Sequence, residues 1–224
     1  MKKITYLLIL ICSFTYGQDI EELYIEKLKS SWEVYETKYF VKSIDPAMDS
    51  SYLKATGKGY HETLIENQKS AVKNRANELS KLLANFSISL TDLNSLAIIE
   101  EKSLNNSPPI DFTKKGAILT QDKIFGFSHD SESENNEFQE IDYFRKSENP
   151  TLDQAKQIIG NLILKGQTSY IDTIAKVETE MFEGPLKELN PETEFEIILY
   201  DKNSAEKLRV IYLHETFVQI MNQK

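Results

Sequence analysis

The chain has 224 residues, a net charge of −9 at neutral pH and 40% hydrophobic residues, values that are typical of a folded acidic protein. This length allows one sizeable domain or two small ones. An acidic surface repels phosphate backbones and anionic lipid headgroups, so the composition argues against nucleic acid or a membrane surface as the partner. We therefore expect the partner to be a protein or a small molecule.

The first seventeen residues have the three parts of a secretory signal peptide. Lys2-Lys3 forms a short positive region, and Ile4–Phe14 forms an apolar stretch. Thr15 and Gly17 place small residues where a signal peptidase reads the chain, so we expect cleavage before Gln18. The apolar run is shorter than the about 20 residues of a membrane-spanning helix. The sequence predicts that residues 1–17 are removed and that the remaining chain is periplasmic or secreted, with no transmembrane segment.

The only cysteine, Cys12, lies inside this segment. An exported lipoprotein is cut before a cysteine that follows a small residue, whereas the residue before Cys12 is Ile11. Membrane anchoring through lipid at Cys12 is therefore the less favoured alternative. Cleavage before Gln18 would leave no cysteine, so we expect stability to depend on a hydrophobic core and not on disulfides.

The next part of the sequence has the three- and four-residue apolar spacing of amphipathic helices. The spacing predicts a helix over Asp19–Ile44, a helix start at Asp45-Pro46 and a long helix over Tyr60–Phe86. Ser89-Leu90-Thr91-Asp92 has the spacing of a capping box and predicts a further helix to about Leu104. Leu96–Ile99, inside that range, could equally form a strand.

Beyond the breaker cluster Asn105–Pro109 the pattern changes to short β-favouring runs. Two or three antiparallel strands are predicted in Ala117–Thr120, Lys123–Ser128 and Phe138–Arg145. A second capping box, Thr151–Gln154, predicts a helix that ends at Gly166, and another helix is predicted over Thr168–Phe182. Strands around Phe195–Leu199 and Leu208–Tyr212, joined by Asp201–Glu206, predict a C-terminal hairpin.

The predicted fold class is therefore α+β, with helices packed on an antiparallel sheet that ends in a C-terminal β-hairpin. We expect residues 18–224 to form one domain, with any sub-boundary near residues 105–110.

The three histidines do not form a metal or catalytic motif. His61 and His214 each begin a His-Glu pair, but zinc needs a second imidazole one helical turn further on, where Ile65 and Val218 stand. In Gly126–Asp130 a serine, a histidine and an aspartate are consecutive, and consecutive side chains diverge instead of forming a triad. We predict no catalytic residue and no cofactor.

The acidic residues Asp130, Glu132 and Glu134 are the best metal candidates, because calcium takes several oxygen ligands and tolerates flexible loops. An EF-hand loop would need glycine at Asn135 and glutamate at Ile141. We favour a solvated hairpin connection that binds calcium no more tightly than about millimolar.

Trp32, Tyr35 and Tyr39 form an aromatic stripe on the first predicted helix. Such rings could line a groove for a sugar or a peptide. A stripe at helical spacing is more often core, and we favour that interpretation.

Without a catalytic motif, the sequence favours a non-enzymatic binding or structural protein of the bacterial envelope or secretome. The alternative is a carboxylate-based hydrolase whose Asp and Glu residues come from distant segments and leave no sequence motif.

Overall fold

The computed structural model describes residues 19–35, 46–103, 113–130, 137–182, 193–215 and 218. The chain folds as two compact units, Met1–Asp92 and Leu93–Lys224. The predicted sub-boundary near residues 105–110 lies outside the described residues and stays a prediction. Within the described part of the chain, no helix is long and apolar enough to cross a membrane.

The first unit is helical in its described part. Helix α1 spans Ile20–Tyr35, α2 spans Pro46–Thr56, α3 spans Tyr60–Asn85, and a 3₁₀ turn follows at Leu90–Asp92. Helices α1 and α3 pack on each other and carry most of the buried apolar residues described in this unit: Ile20, Leu23, Tyr24, Ala76, Leu79, Leu82 and Leu83. The predicted helix starts near residues 19, 45 and 60 are confirmed, while residues 36–45 lie outside the described part.

The described residues of the second unit include a six-stranded antiparallel sheet and two helices. Its strands are β1 (Ser95–Ser103), β2 (Thr113–Thr120), β3 (Ile124–Asp130), β4 (Gln139–Ile141), β5 (Thr193–Asp201) and β6 (Leu208–His214), and its helices are α4 (Pro150–Leu164) and α5 (Thr168–Phe182). The strand order is β4-β3-β2-β1-β5-β6. The α+β fold class and the C-terminal hairpin β5-β6 are therefore confirmed.

Helices α4 and α5 pack on one face of this sheet, which we call the helix-covered face. Alternate strand residues point towards the helices, as the two-residue period of a strand requires. The sheet side of this core consists of Ala97, Ile99, Ala117, Leu119, Phe195, Ile197, Leu199, Ile211 and Leu213, and the helix side of Leu152, Ala155, Ile159, Ile171 and Ile174. Each large aliphatic side chain buried in this way stabilises the fold by about 1.5–3 kcal/mol.

The opposite face of the sheet is also buried along its central strands. Its buried apolar residues include Leu96, Ile98, Ile118, Phe127 and Ile198. Strands buried on both faces are continuous apolar runs without the alternation of a half-buried strand. This explains why Leu96–Ile99 did not distinguish between helix and strand in the sequence.

Two predicted helix starts were wrong. The helix predicted from Ser89 to Leu104 does not form, because β1 occupies most of that range; Ser89 Oγ instead hydrogen-bonds Thr91 Oγ1 at 2.7 Å. Helix α4 is capped by Asn149, and not from within Thr151–Gln154. The Asn149 Oδ1 accepts hydrogen bonds from the Thr151 and Leu152 N–H groups, both at 3.1 Å, and Pro150 takes the first helical position.

Candidate functional site

A cleft of about 390 Å³ lies at one end of the sheet in the second unit. It forms where β1 begins, where β2 and β5 end, and where the turn between α4 and α5 passes beside them. Small-molecule sites in proteins have volumes of about 300–1,000 Å³, so the cleft has the size of such a site.

The floor of the cleft is apolar. Ala97, Leu119 and Leu199 belong to the helix-covered face, and Ile163 joins them from the end of α4. Leu164, which lines the cleft, is 55% exposed, and Ile124, the register partner of the lining residue Leu119, is 48% exposed. These two are among the most exposed large apolar side chains of the described residues, and they extend the apolar surface out of the cleft.

The rim is mainly neutral and polar. It carries the hydroxyl and amide side chains of Ser95, Thr120, Gln121, Thr168, Tyr200 and Ser204. Burial, and then the negative charge of Asp201, raise the pKa of Tyr200 above its usual value, so this phenol is a neutral group at physiological pH. Such groups orient a ligand by hydrogen bonds.

Three charged side chains, Asp201, Glu206 and Arg209, also line the cleft. Arg209 on β6 forms an ion pair with Asp172 of α5. Asp201 is the last residue of β5, and Glu206 lies in the connection between β5 and β6; Asp201 Oδ1 accepts a hydrogen bond from the Asn203 N–H at 2.9 Å. The cleft therefore offers a cationic group and two acidic groups above an apolar floor.

The turn between α4 and α5 is a helix end of the Schellman type. Gly166 has φ +69°, the Gly166 N–H donates to the Ile163 carbonyl at 3.0 Å, and the Gln167 N–H donates to the Leu162 carbonyl at 2.8 Å. Glycine adopts this left-handed conformation without strain. The predicted helix end at Gly166 is confirmed, and this turn brings Gly166 and Thr168 to the cleft.

A second polar cluster lies on the opposite face of the sheet. Glu100 and Glu196 are partners in the β1–β5 register, and they are 0% and 1% exposed. Glu196 Oε2 lies 3.1 Å from Lys102 Nζ, and Glu196 Oε1 accepts a hydrogen bond from Tyr212 Oη at 3.1 Å. The fold thus brings together two carboxylates from distant segments.

A third polar group lies on the helix-covered face, where Lys156 of α4 contacts Glu101 of β1. Lys156 Nζ is 3.3 Å from Glu101 Oε2 and 4.6 Å from the ring centroid of Tyr143. The pKa of Tyr143 is raised well above its usual value, first by burial and then by the charges of Glu101 and Glu100. This ion pair ties α4 to the centre of the sheet.

The residues predicted as binding or metal sites are mostly outside the described part of the chain. Trp32 and Tyr35 lie in α1, but their side chains, like the whole of Tyr39, are not among the described groups. Asp130 is an exposed residue at the end of β3, and Glu132 and Glu134 lie outside the described residues. Across the described ranges, no group of three His, Cys, Asp or Glu side chains could hold a metal ion. The choice between core and groove for the aromatic stripe, and between a solvated loop and a calcium site for the acidic residues, stays a prediction.

The described histidine side chains lie in two different surroundings. His129 is 4% exposed and its ring stacks on Phe138, with ring centroids 4.4 Å apart. His214 ends β6 and is the register partner of Glu194. The side chain of His61 lies outside the described groups.

Burial lowers the pKa of His214 below 6.5. The unfolded chain then takes up a proton at a higher pH than the folded chain, so we expect the free energy of unfolding to decrease as the pH falls through 6.5. The variant His214→Gln should show a shallower decrease over this range. Urea unfolding at a series of pH values measures both profiles, and equal slopes for the variant and the wild type would contradict the expectation.

Glu194, the register partner of His214, has the opposite effect on the pH dependence of stability. Burial raises the pKa of Glu194 above 4.5, the positive charge of Lys102 lowers this pKa, and the negative charge of Glu196 raises it. Its contribution to stability is therefore lost as the pH rises from 4.5 through the raised value. Both His214→Gln and the wild type keep Glu194, so the difference between their pH profiles reports the effect of the histidine.

No known protein family, curated protein or solved structure matches the chain. Function must therefore be argued from the groups that the fold brings together. The cleft residues come from several separate segments, and no local motif marks them in the sequence.

Proposed function

We propose that this chain is an exported binding protein that holds a small amphipathic molecule in the cleft of its second unit. The observation that carries the proposal is an apolar floor, formed by Ala97, Leu119 and Leu199, beneath a rim of neutral hydroxyl and amide groups. Ligand sites have this composition because apolar contact supplies affinity and a few polar groups fix orientation.

Several rim groups are held in place by the turns that carry them, which supports the proposal. Thr120 Oγ1 donates to the Lys123 carbonyl at 3.1 Å and accepts from the Lys123 N–H at 3.0 Å. Asp201 is fixed in the same way by the Asn203 N–H. Groups that are already ordered lose less conformational freedom when a ligand binds, so they favour affinity.

The cleft can be tested with an amphipathic fluorescent dye, anilinonaphthalene sulfonate. Ser95 is an exposed residue at the start of β1 that lines the cleft, and Ser95→Trp should fill it and abolish most of the dye fluorescence. The matched control is Gln139→Trp, at an exposed position of β4 outside the cleft lining. The dye is excited at its own absorption band, and circular dichroism verifies folding. Equal loss in both variants, or in neither, would refute the cleft as the binding site.

Export is supported by the signal-like order of Lys2-Lys3, the apolar run Ile4–Phe14 and the small residues Thr15 and Gly17. Expression in a secreting bacterial host should yield a chain that begins at Gln18, or within a couple of residues of it, as measured by intact mass of the envelope and medium fractions. The variant Thr15→Arg should accumulate uncleaved. A wild-type species that retains Met1, or one that carries lipid at Cys12, would contradict the proposal.

A second candidate function is a carboxylate-based hydrolase, and the observation that favours it is the buried pair of Glu100 and Glu196. Both carboxylates are inaccessible to a substrate in the described conformation, and Glu196 already contacts Lys102 and Tyr212. Hydrolysis of chromogenic glycosides that is lost in a folded Glu196→Gln variant would favour the hydrolase over the binding protein.

A further inference from the structure

We infer that the cleft takes a zwitterion with apolar side chains, of the size of an apolar dipeptide. The inference rests on the proposed binding function and specifies its ligand. It follows from side chains of opposite charge that line one cleft together with apolar residues.

The cation and one of the acids lie on neighbouring strands and on the same face of the sheet. Arg209 is the register partner of Leu199, and Asp201 lies two residues beyond Leu199 on β5, so Arg209 and Asp201 are diagonal neighbours on the same face. Diagonal neighbours in a sheet are about 7–8 Å apart. Two extended residues span about 7 Å, so a molecule of the length of a dipeptide can reach both positions.

Arg209 and Asp201 each keep hydrogen-bonding groups that can bind a ligand. The Asp172 contact involves Arg209 Nη2, whereas a guanidinium has five N–H donors, so other donors can bind a carboxylate. The Asp201 side chain is 2.9 Å from the Asn203 N–H through Oδ1, and a carboxylate has a second oxygen that can accept from an ammonium group. Glu206, in the connection between β5 and β6, adds a second negative charge to the cleft.

The apolar surface accounts for the side chains of the ligand. One side chain can lie on the floor formed by Ala97, Leu119 and Leu199, and the other on the exposed Leu164 at the rim. The volume of about 390 Å³ leaves room for such a molecule. A simple ion would leave this apolar surface uncovered, and a hydrocarbon would make no polar contact with the charged residues of the cleft.

The test is titration calorimetry of the mature protein with leucyl-leucine and three analogues. N-acetyl-leucyl-leucine lacks the ammonium group, leucyl-leucinamide lacks the carboxylate, and glycyl-glycine lacks the apolar side chains. We expect leucyl-leucine to bind and each analogue to bind at least about tenfold more weakly, because each loses a charge-assisted hydrogen bond or apolar contact.

Single variants test which charged group of the dipeptide each cleft residue binds. Arg209→Gln should weaken leucyl-leucine and N-acetyl-leucyl-leucine but leave leucyl-leucinamide unchanged, and Asp201→Asn should spare only the acetylated dipeptide. The control is Lys207→Gln, a cation of the same connection that lies outside the cleft lining. Thermal melts verify that each variant is folded.

Acetylated or amidated dipeptide that binds as tightly as leucyl-leucine would overturn the zwitterion inference while leaving the binding function intact. The zwitterion inference would also be overturned if none of the four compounds binds while the dye still binds the wild type and not the Ser95→Trp variant. If the dye result also fails, the proposed function fails with it.

Discussion

Replacement of Lys156 by methionine is expected to lower the free energy of unfolding by about 3–5 kcal/mol, measured by urea unfolding followed by circular dichroism. The side chains of Lys156 and Glu101 are only 7% and 17% exposed, so the variant leaves a largely buried carboxylate without its cation. Methionine keeps an unbranched apolar side chain but lacks the ammonium group, so the loss reports the ion pair with Glu101 together with the cation–π contact to the ring of Tyr143.

The double variant Glu101→Leu with Lys156→Met should recover most of this loss, because an apolar pair of similar volume removes the buried charges altogether. The matched control is Lys58→Met, which breaks the pair between Lys58 Nζ and Glu66 Oε2 at 2.6 Å. That pair is shorter but exposed, so its loss should leave the stability unchanged within error. A large effect of Lys58→Met, or a double variant as unstable as Lys156→Met, would contradict this account.

The variant Gly116→Ala is expected to lower the free energy of unfolding by about 1–3 kcal/mol, the usual cost of overpacking a core. A methyl group at this position would clash with the carbonyl oxygen of Ile99 and lie 2.6 Å from Cζ of Phe127. Phe127 is 0% exposed, and Ile99 belongs to the adjacent strand β1, so neither neighbour can move aside cheaply.

Gly160→Ala is the control for this prediction. Its added methyl group would meet only the ring edge of Phe144, at 2.9 Å, and Phe144 is a partly buried side chain that can rotate. Alanine also gains about 1 kcal/mol of helix propensity over glycine inside α4. We therefore expect little change, or a small stabilisation. Thermal unfolding compares the two variants, and equal destabilisation would show that steric contact at Gly116 is not the cause.

The sequence predicts best those elements that have one buried face. The periodic spacing and the Asp45-Pro46 start locate α2 and α3, and the alternation around Phe195 and Leu208 locates the hairpin. The helix cap at Asn149 was missed because Thr151–Gln154 offers a similar pattern two residues later, and only the hydrogen bonds distinguish them.

Positions buried on both faces of the sheet could not be predicted in this way. The sequence pattern around Phe195 does not predict the burial of Glu196, which is 1% exposed because β5 is buried on both faces. The sequence also gives no indication that Glu100 lies opposite Glu196, since strand register depends on the complete sheet.

The cleft could not be predicted from the sequence for a related reason. Ser95, Thr120, Gly166 and Arg209 come from four separate segments and share no local motif. Their proximity is a property of the strand order and of the turn at Gly166, both of which require the folded chain.

The position of β1 in the strand order has a consequence for synthesis and folding. Strands β1 to β4 follow one another in the sheet as they do in the chain, whereas the other edge of β1 pairs with β5; Ile98 is the partner of Ile198, a hundred residues later. Pairings between residues so far apart form slowly. As the chain emerges from the ribosome, β1 therefore offers an apolar strand edge to other chains until β5 has been made. Chains that end before Thr193 should accordingly aggregate through this edge.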